Sequence, residues 1–139
     1  MFQKTTAIQK IQKLKKRNRI IQGGTSASKT FGILAYLIHY LTKHSKLECS
    51  IVAQTYPHLK RGALRDFKKI MEMTGRWFPD RFNKSSSTYQ FLNGSTIEFF
   101  SADQESKLRG ARRNILFLNE ANTISYDAFL QLAVRTSDF

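Results

Sequence analysis

The segment Gly23-Gly24-Thr25-Ser26-Ala27-Ser28-Lys29-Thr30 constrains the fold more than any other stretch of the chain. A run of small residues leads to a lysine and a hydroxyl. The spacing is that of G-x-x-x-x-G-K-[ST], with Ser28 standing where the second glycine belongs. Binding a phosphate chain needs small residues so that successive backbone N–H groups converge on the anion, a lysine for the outer phosphates and a hydroxyl for Mg2+. Such a loop works only between a strand and a helix, and the flanks supply both. Arg19-Ile20-Ile21-Gln22 reads as a buried strand. Lys29 to Lys43 reads as a helix whose apolar positions Phe31, Ile33, Leu34, Leu37, Ile38 and Leu41 cover a broad face, as in a helix packed on a sheet.

The rest of the chain agrees with that class. A second strand runs from Cys49 to Gln54 and is broken at Tyr56-Pro57. The helical period through Leu59, Leu64, Phe67, Ile70 and Met71 predicts a helix from Leu59 to Met73, ending at Gly75. Thr88 to Leu92 and Thr96 to Phe100 flank Asn93-Gly94, a strong hairpin signal. Arg113 to Leu118 is another apolar strand, with a helix from Tyr126 to Val134 after it. Strands alternating with helices predict an α/β domain: a mostly parallel sheet flanked by helices, with an inserted β-hairpin. Ser85-Ser86-Ser87 reads as an ordinary connection and Trp77-Phe78-Pro79 as a core anchor.

Charge narrows the partners. The 139 residues suffice for one domain, and 23 Lys+Arg against 10 Asp+Glu give a net charge of +13, so polyanions are favoured. The excess is concentrated early, where Lys10, Lys13, Lys15, Lys16, Arg17 and Arg19 are candidate contacts to DNA phosphates and the first acid is Glu48. Ile8, Ile11 and Leu14 give this arm a narrow apolar stripe, predicting a short basic helix from Thr6 to Arg17. The stretch from Phe31 to Leu41, interrupted by His39, is too short to span a bilayer, and no apolar leader follows the first basic residues, so membrane and secreted classes are not expected. Cys49, the single cysteine, allows no internal disulfide and reads as a buried strand residue in a reducing cytoplasm. His39, His44 and His58 have no metal-ligand spacing.

A second constellation follows the apolar run Ile115-Leu116-Phe117-Leu118, which delivers Asn119 and Glu120 at a strand's carboxyl end, where open α/β sheets place ligands. A nucleoside triphosphatase needs one group to help hold Mg2+ and another to position or deprotonate water. Thr30 and, through a bound water, Asn119 are the candidates for the metal, and Glu120 is the candidate base. Asn119 is neutral and adds no Coulomb attraction, so Mg2+ is expected to be held more weakly than by aspartate. Upstream, Arg109, Arg112 and Arg113 offer planar forks for a γ-phosphoryl group or for DNA phosphate. The residues alone describe a basic P-loop phosphohydrolase with a polyanionic partner.

In this order the motifs resemble those of the ATPase domain of the large subunit of tailed-phage terminases, the motors that package viral DNA into procapsids. The resemblance runs from Arg19 to Val134. Its elements are the Gly-Gly-initiated Walker A loop, Val52-Ala53-Gln54-Thr55 followed by Leu59-Lys60-Arg61-Gly62-Ala63-Leu64, the Leu92-Asn93-Gly94-Ser95-Thr96-Ile97 hairpin, Leu108-Arg109-Gly110 and Asn119-Glu120-Ala121-Asn122. It implies a P-loop NTPase fold of the ASCE type, with ATP and Mg2+ held by Gly23, Gly24, Thr25, Ser26, Ala27, Ser28, Lys29 and Thr30. Glu120 would be the catalytic glutamate and Arg109 an arginine finger given to a neighbouring subunit. Double-stranded DNA, a portal, a small terminase subunit, a homo-oligomeric ring and the host cytoplasm are implied as substrate, partners, assembly and location. Ser28 departs from the usual glycine and Asn119 from the usual aspartate. On this reading residues 1–18 are a basic arm and residues 19–139 an incomplete ATPase domain, without the family's downstream coupling motif and nuclease domain. The alternative is a non-catalytic, degenerate P-loop module that binds nucleotide or DNA.

Overall fold

The computed structural model describes residues 19–22, 27–108 and 113–136. The elements in chain order are β1 (Arg19–Gln22), α1 (Ala27–Lys43), β2 (Glu48–Ala53), α2 (Tyr56–Arg61), α3 (Ala63–Met73), β3 (Phe82–Asn83), β4 (Thr88–Gln90), β5 (Thr96–Ser101), α4 (Glu105–Leu108), β6 (Ile115–Leu118) and α5 (Tyr126–Val134). Single 3-10 turns lie at Pro79–Arg81 and Ala121–Thr123. The expected helix from Thr6 to Arg17 lies outside the described residues.

The strands form one sheet in the order β1-β6-β2-β5-β4-β3. β1, β6, β2 and β5 run parallel, and β4 and β3 add antiparallel pairs at one side. This is the mostly parallel sheet with an inserted hairpin that the strand and helix alternation predicts. Strand periodicity divides the core in two. Cys49, Ile51, Ile97, Phe99, Ile115 and Phe117 pack with α1 and α3, whereas Val52, Phe100, Leu116 and Leu118 pack with Leu108, Ala128 and Leu132. On the first face α1 buries Ile33, Leu34, Leu37, Ile38 and Leu41, each worth about 2 kcal/mol of burial.

Three local differences from the sequence expectation have physical causes. Tyr56-Pro57 opens a helix instead of merely breaking the strand, because proline lacks an N–H that the first turn leaves unpaired anyway. Thr55 caps it, its Oγ1 accepting from the His58 N–H at 3.4 Å. The helix expected from Leu59 to Met73 is two helices meeting at Gly62, whose φ of −111° and ψ of −99° lie outside the helical region. A Cβ there would sit 3.0 Å from the His58 carbonyl oxygen. Lastly, Phe82–Asn83 adds a third antiparallel partner, β3, too short to register as a strand in sequence.

The hairpin closes through Leu92-Asn93-Gly94. Gly94 N–H donates to Phe91 O at 3.0 Å, Phe91 N–H donates to Ser95 O at 2.8 Å, and Gly94 has a φ of +93°, the left-handed position that glycine fills without strain. Of the Trp77-Phe78-Pro79 segment, Trp77 alone is the anchor. It packs against Phe67, Phe82 and Tyr89, while Phe78 is 45% exposed.

Candidate active site

The parallel strands β1 and β6 are neighbours, with Gln22 opposite Leu118. Their carboxyl ends, at Gln22 and Leu118, therefore lie side by side. α1 begins at Ala27, so Ala27, Ser28, Lys29 and Thr30 form its first turn rather than Lys29 starting it. The N–H groups of a first turn have no intrahelical partner and the helix dipole favours negative charge there. No acidic side chain occupies that turn to compete with an anion. Lys29 is exposed and Thr30 is buried.

Thr30 reaches across the sheet end. Its hydroxyl donates to Asn119 Oδ1 at 3.1 Å, joining residues 89 apart in sequence. Asn119 is itself 4% exposed, and its N–H donates to Val52 O at 2.8 Å, so the β6–β2 ladder fixes it in place. Gly62 is the third member of this junction: a Cβ on it would lie 3.7 Å from Asn119 Nδ2. Gly62 has no site role among the sequence expectations. The available signal was an isolated glycine inside a helical period, which marks a break or a close approach.

Glu120 follows in an uncommon conformation. With φ 53° and ψ 60° it is left-handed, which costs a non-glycine residue about 1 kcal/mol. The turn is held by Thr123, whose N–H and hydroxyl donate to Glu120 O at 2.9 and 2.6 Å. Among the described residues the half-buried Glu120 carboxylate has no ion pair or side-chain hydrogen bond.

The donor set at the Thr30–Asn119 junction is chemically suited to Mg2+. Both donors are hard, neutral oxygens, and Mg2+ retains waters and takes its charge partners from substrate phosphates. Such a pair fits a metal held mainly by a phosphate chain.

No family model and no curated protein matches this chain. Solved structures do. The large terminase of a thermophilic bacteriophage superposes with a TM-score of 0.68 at 15% identity, over 87% of this chain and 31% of that one. The same protein in complex with ADP gives 0.66 at 18% identity, over 86% and 30%. The ATPase domain of the Thermus phage P74-26 large terminase gives 0.63 at 16% identity, over 99% of this chain and 63% of that domain. The fold is that of a phage large-terminase ATPase domain. This chain spans less than a third of the first protein and under two thirds of the P74-26 domain.

Within the terminase ATPase fold, the remaining candidates separate clearly. Gly23, Gly24, Thr25, Ser26, Arg109, Arg112 and the arm residues Lys10, Lys13, Lys15, Lys16 and Arg17 lie outside the described residues, and Arg19 opens β1. Arg113 is described, and it is no phosphate fork. It is 1% exposed, before β6 rather than on it; Nε donates to Ser50 Oγ at 2.8 Å, one terminal nitrogen donates to Leu132 O at 3.3 Å, and the guanidinium lies 5.7 Å from the Phe100 ring centre. Ser50 passes the interaction on, donating to Glu98 at 2.9 Å. Burial draws the Arg113 guanidinium below its ordinary range, and Glu98 opposes that shift. Cys49 is fully enclosed, and burial pushes its thiol well up, which leaves no nucleophile. His44 stacks on Tyr40 and His58 bonds Thr55; among the described residues no cluster of metal-ligating side chains forms. No described helix is long and apolar enough to cross a membrane.

Proposed function

We propose that this chain is part of a phage large terminase and that it binds and hydrolyses ATP to drive double-stranded DNA into a procapsid. The observation that carries the reading is the Thr30–Asn119 hydrogen bond, which couples the first turn of α1 to the carboxyl end of β6. Lys29 takes the outer phosphates, with the backbone of residues 23–28 around them. Thr30 directly and Asn119 through a water would hold Mg2+, which when bound neutralises the phosphate charge. Glu120 orients the attacking water and accepts its proton. Arg109 is the candidate finger reaching a neighbouring subunit's nucleotide. Residues 1–18 supply phosphate-directed DNA contacts. A homo-oligomeric ring, a portal and a small terminase subunit complete the assembly, in the host cytoplasm. The ADP and ATP-gamma-S complexes of the thermophilic phage's large terminase support the nucleotide class.

Lys29→Ala is expected to abolish ATP binding in a calorimetric titration of the folded protein. Unchanged affinity would remove the assignment. A second reading, nucleotide binding without turnover, is favoured by one feature: the residue beside Thr30 is a neutral asparagine. Steady-state release of phosphate from ATP by the folded protein distinguishes the two, and Asn119→Asp tests where the metal sits. If the metal sits there, the Mg2+ concentration for half-maximal ATP binding falls, by about tenfold for one added carboxylate near the ion. If it does not fall, Asn119 is remote from the metal.

A further inference from the structure

A groove of about 430 Å³ lies between the α2–α3 pair and the β3–β4 turn, and none of its lining residues is one assigned to the nucleotide. It is lined by the half-buried rings of Trp77 and Phe82 and by Lys60, Arg65, Lys68 and Lys84, with no acidic lining residue. Those cations are exposed. Among the described residues Lys60, Lys68 and Lys84 have no ion pair, and Arg65 has only a long one, 3.9 Å to Asp66. Lys68 Nζ instead lies 5.5 Å over the Trp77 ring. The ring is fixed from within by stacking on Tyr89, whose hydroxyl is tied to Arg76 O at 2.8 Å.

We propose that this groove binds single-stranded nucleic acid, Lys60 and Lys84 taking backbone phosphates and Lys68 swinging from the Trp77 ring onto a phosphate, so that Trp77 with Phe82 receives an unstacked base. Four exposed cations with a single long ion pair among them call for a polyanion. The half-buried aromatic lining decides which one. A duplex presents phosphates outward and keeps its bases stacked inside, so it offers nothing to half-buried rings among lysines, whereas an unpaired base has a free π-face. An acidic peptide would use the cations and leave the rings bare. The inference shares with the proposed function only the expectation of a nucleic-acid substrate, and it uses none of the ATP site.

Trp77 is the single tryptophan of the chain, so its emission reports this groove alone. Titration of the whole chain with an oligo(dT) of about 12 nucleotides is expected to quench that emission, while a blunt duplex of the same length leaves it unchanged. Because the lysines are exposed, Lys60→Gln/Lys68→Gln/Lys84→Gln should fold normally. It should lower the slope of log affinity against log salt for the oligonucleotide by about 2, as expected for three lost phosphate contacts on a single strand. Binding of oligo(dT) without any change in Trp77 emission would overturn the proposal, as would an unaltered salt slope in the triple variant. Equal quenching by the duplex or by poly-glutamate would also overturn it, reducing the groove to an unselective anion surface. ATP binding through Lys29 is read separately by calorimetry, so failure of one assignment leaves the other standing.

Discussion

The two ends of β6 carry the same kind of sequence signal and do opposite things. Before the strand stands Arg113, a charged residue in a basic run; after it stand Asn119 and Glu120. All read as chemistry in the sequence. In the fold Arg113 is held from inside, by Ser50, Leu132 O and the Phe100 ring. Glu120 keeps a carboxylate that no described residue pairs, on a backbone held in a left-handed turn. A buried polar group whose partners are all internal specifies structure, and one left open where the sheet ends is available for a ligand. The distinction lies in where the hydrogen bonds go, which residue type alone does not reveal.

The largest effect should fall at the open end. Glu120→Gln removes the proposed proton acceptor while keeping shape and hydrogen-bonding capacity, so turnover should drop by about 10²–10⁴-fold with ATP affinity and unfolding midpoint unchanged. Measured on a preparation with wild-type ATPase activity, a variant that still turns over normally would move the base elsewhere. Such a result would also erase the contrast between the two ends.

Arg113→Met tests the closed end and should give the mirror result. The methionine replaces the stem, but the bonds to Ser50 and Leu132 O are lost and Glu98 loses a nearby guanidinium. Breaking a buried charged contact of this kind costs about 3 kcal/mol, read as a lower urea midpoint at unchanged slope. ATP affinity of the remaining folded protein should stay at the wild-type value. A loss of ATP affinity with full stability would return Arg113 to the phosphate side and undo the assignment made from its burial.

What was legible in the sequence was local. The Lys29-Thr30 spacing, the apolar β6 run and the Asn93-Gly94 turn each announce themselves within a few residues, because backbone geometry and strand or helix period act over that range. The fold class followed from their alternation. What escaped needed pairs distant in the chain. Arg113 meets Ser50 across 63 positions, and the groove cations Lys60, Lys68 and Lys84 come from two helices and a turn. The break at Gly62 was nearer to legibility, yet the apolar period through Leu64 and Phe67 continues across it and masks the change of direction. No local pattern encodes that Gly62 must lie close to Asn119.

The smallest predicted effect separates strain from chemistry at one residue. Glutamine at position 120 has the same left-handed penalty as glutamate, whereas asparagine tolerates φ near 53° because its short side chain can bond locally. Glu120→Asn should therefore be more stable than Glu120→Gln by up to about 1 kcal/mol, while both lose turnover. Glycine is the poorer probe, since its gain at positive φ is offset by the greater freedom of its unfolded chain. Equilibrium urea unfolding of the two variants side by side gives the difference directly. If Glu120→Asn is no more stable than Glu120→Gln, the turn held by Thr123 stores no strain, and the open end of β6 differs from the closed end only in its missing partners.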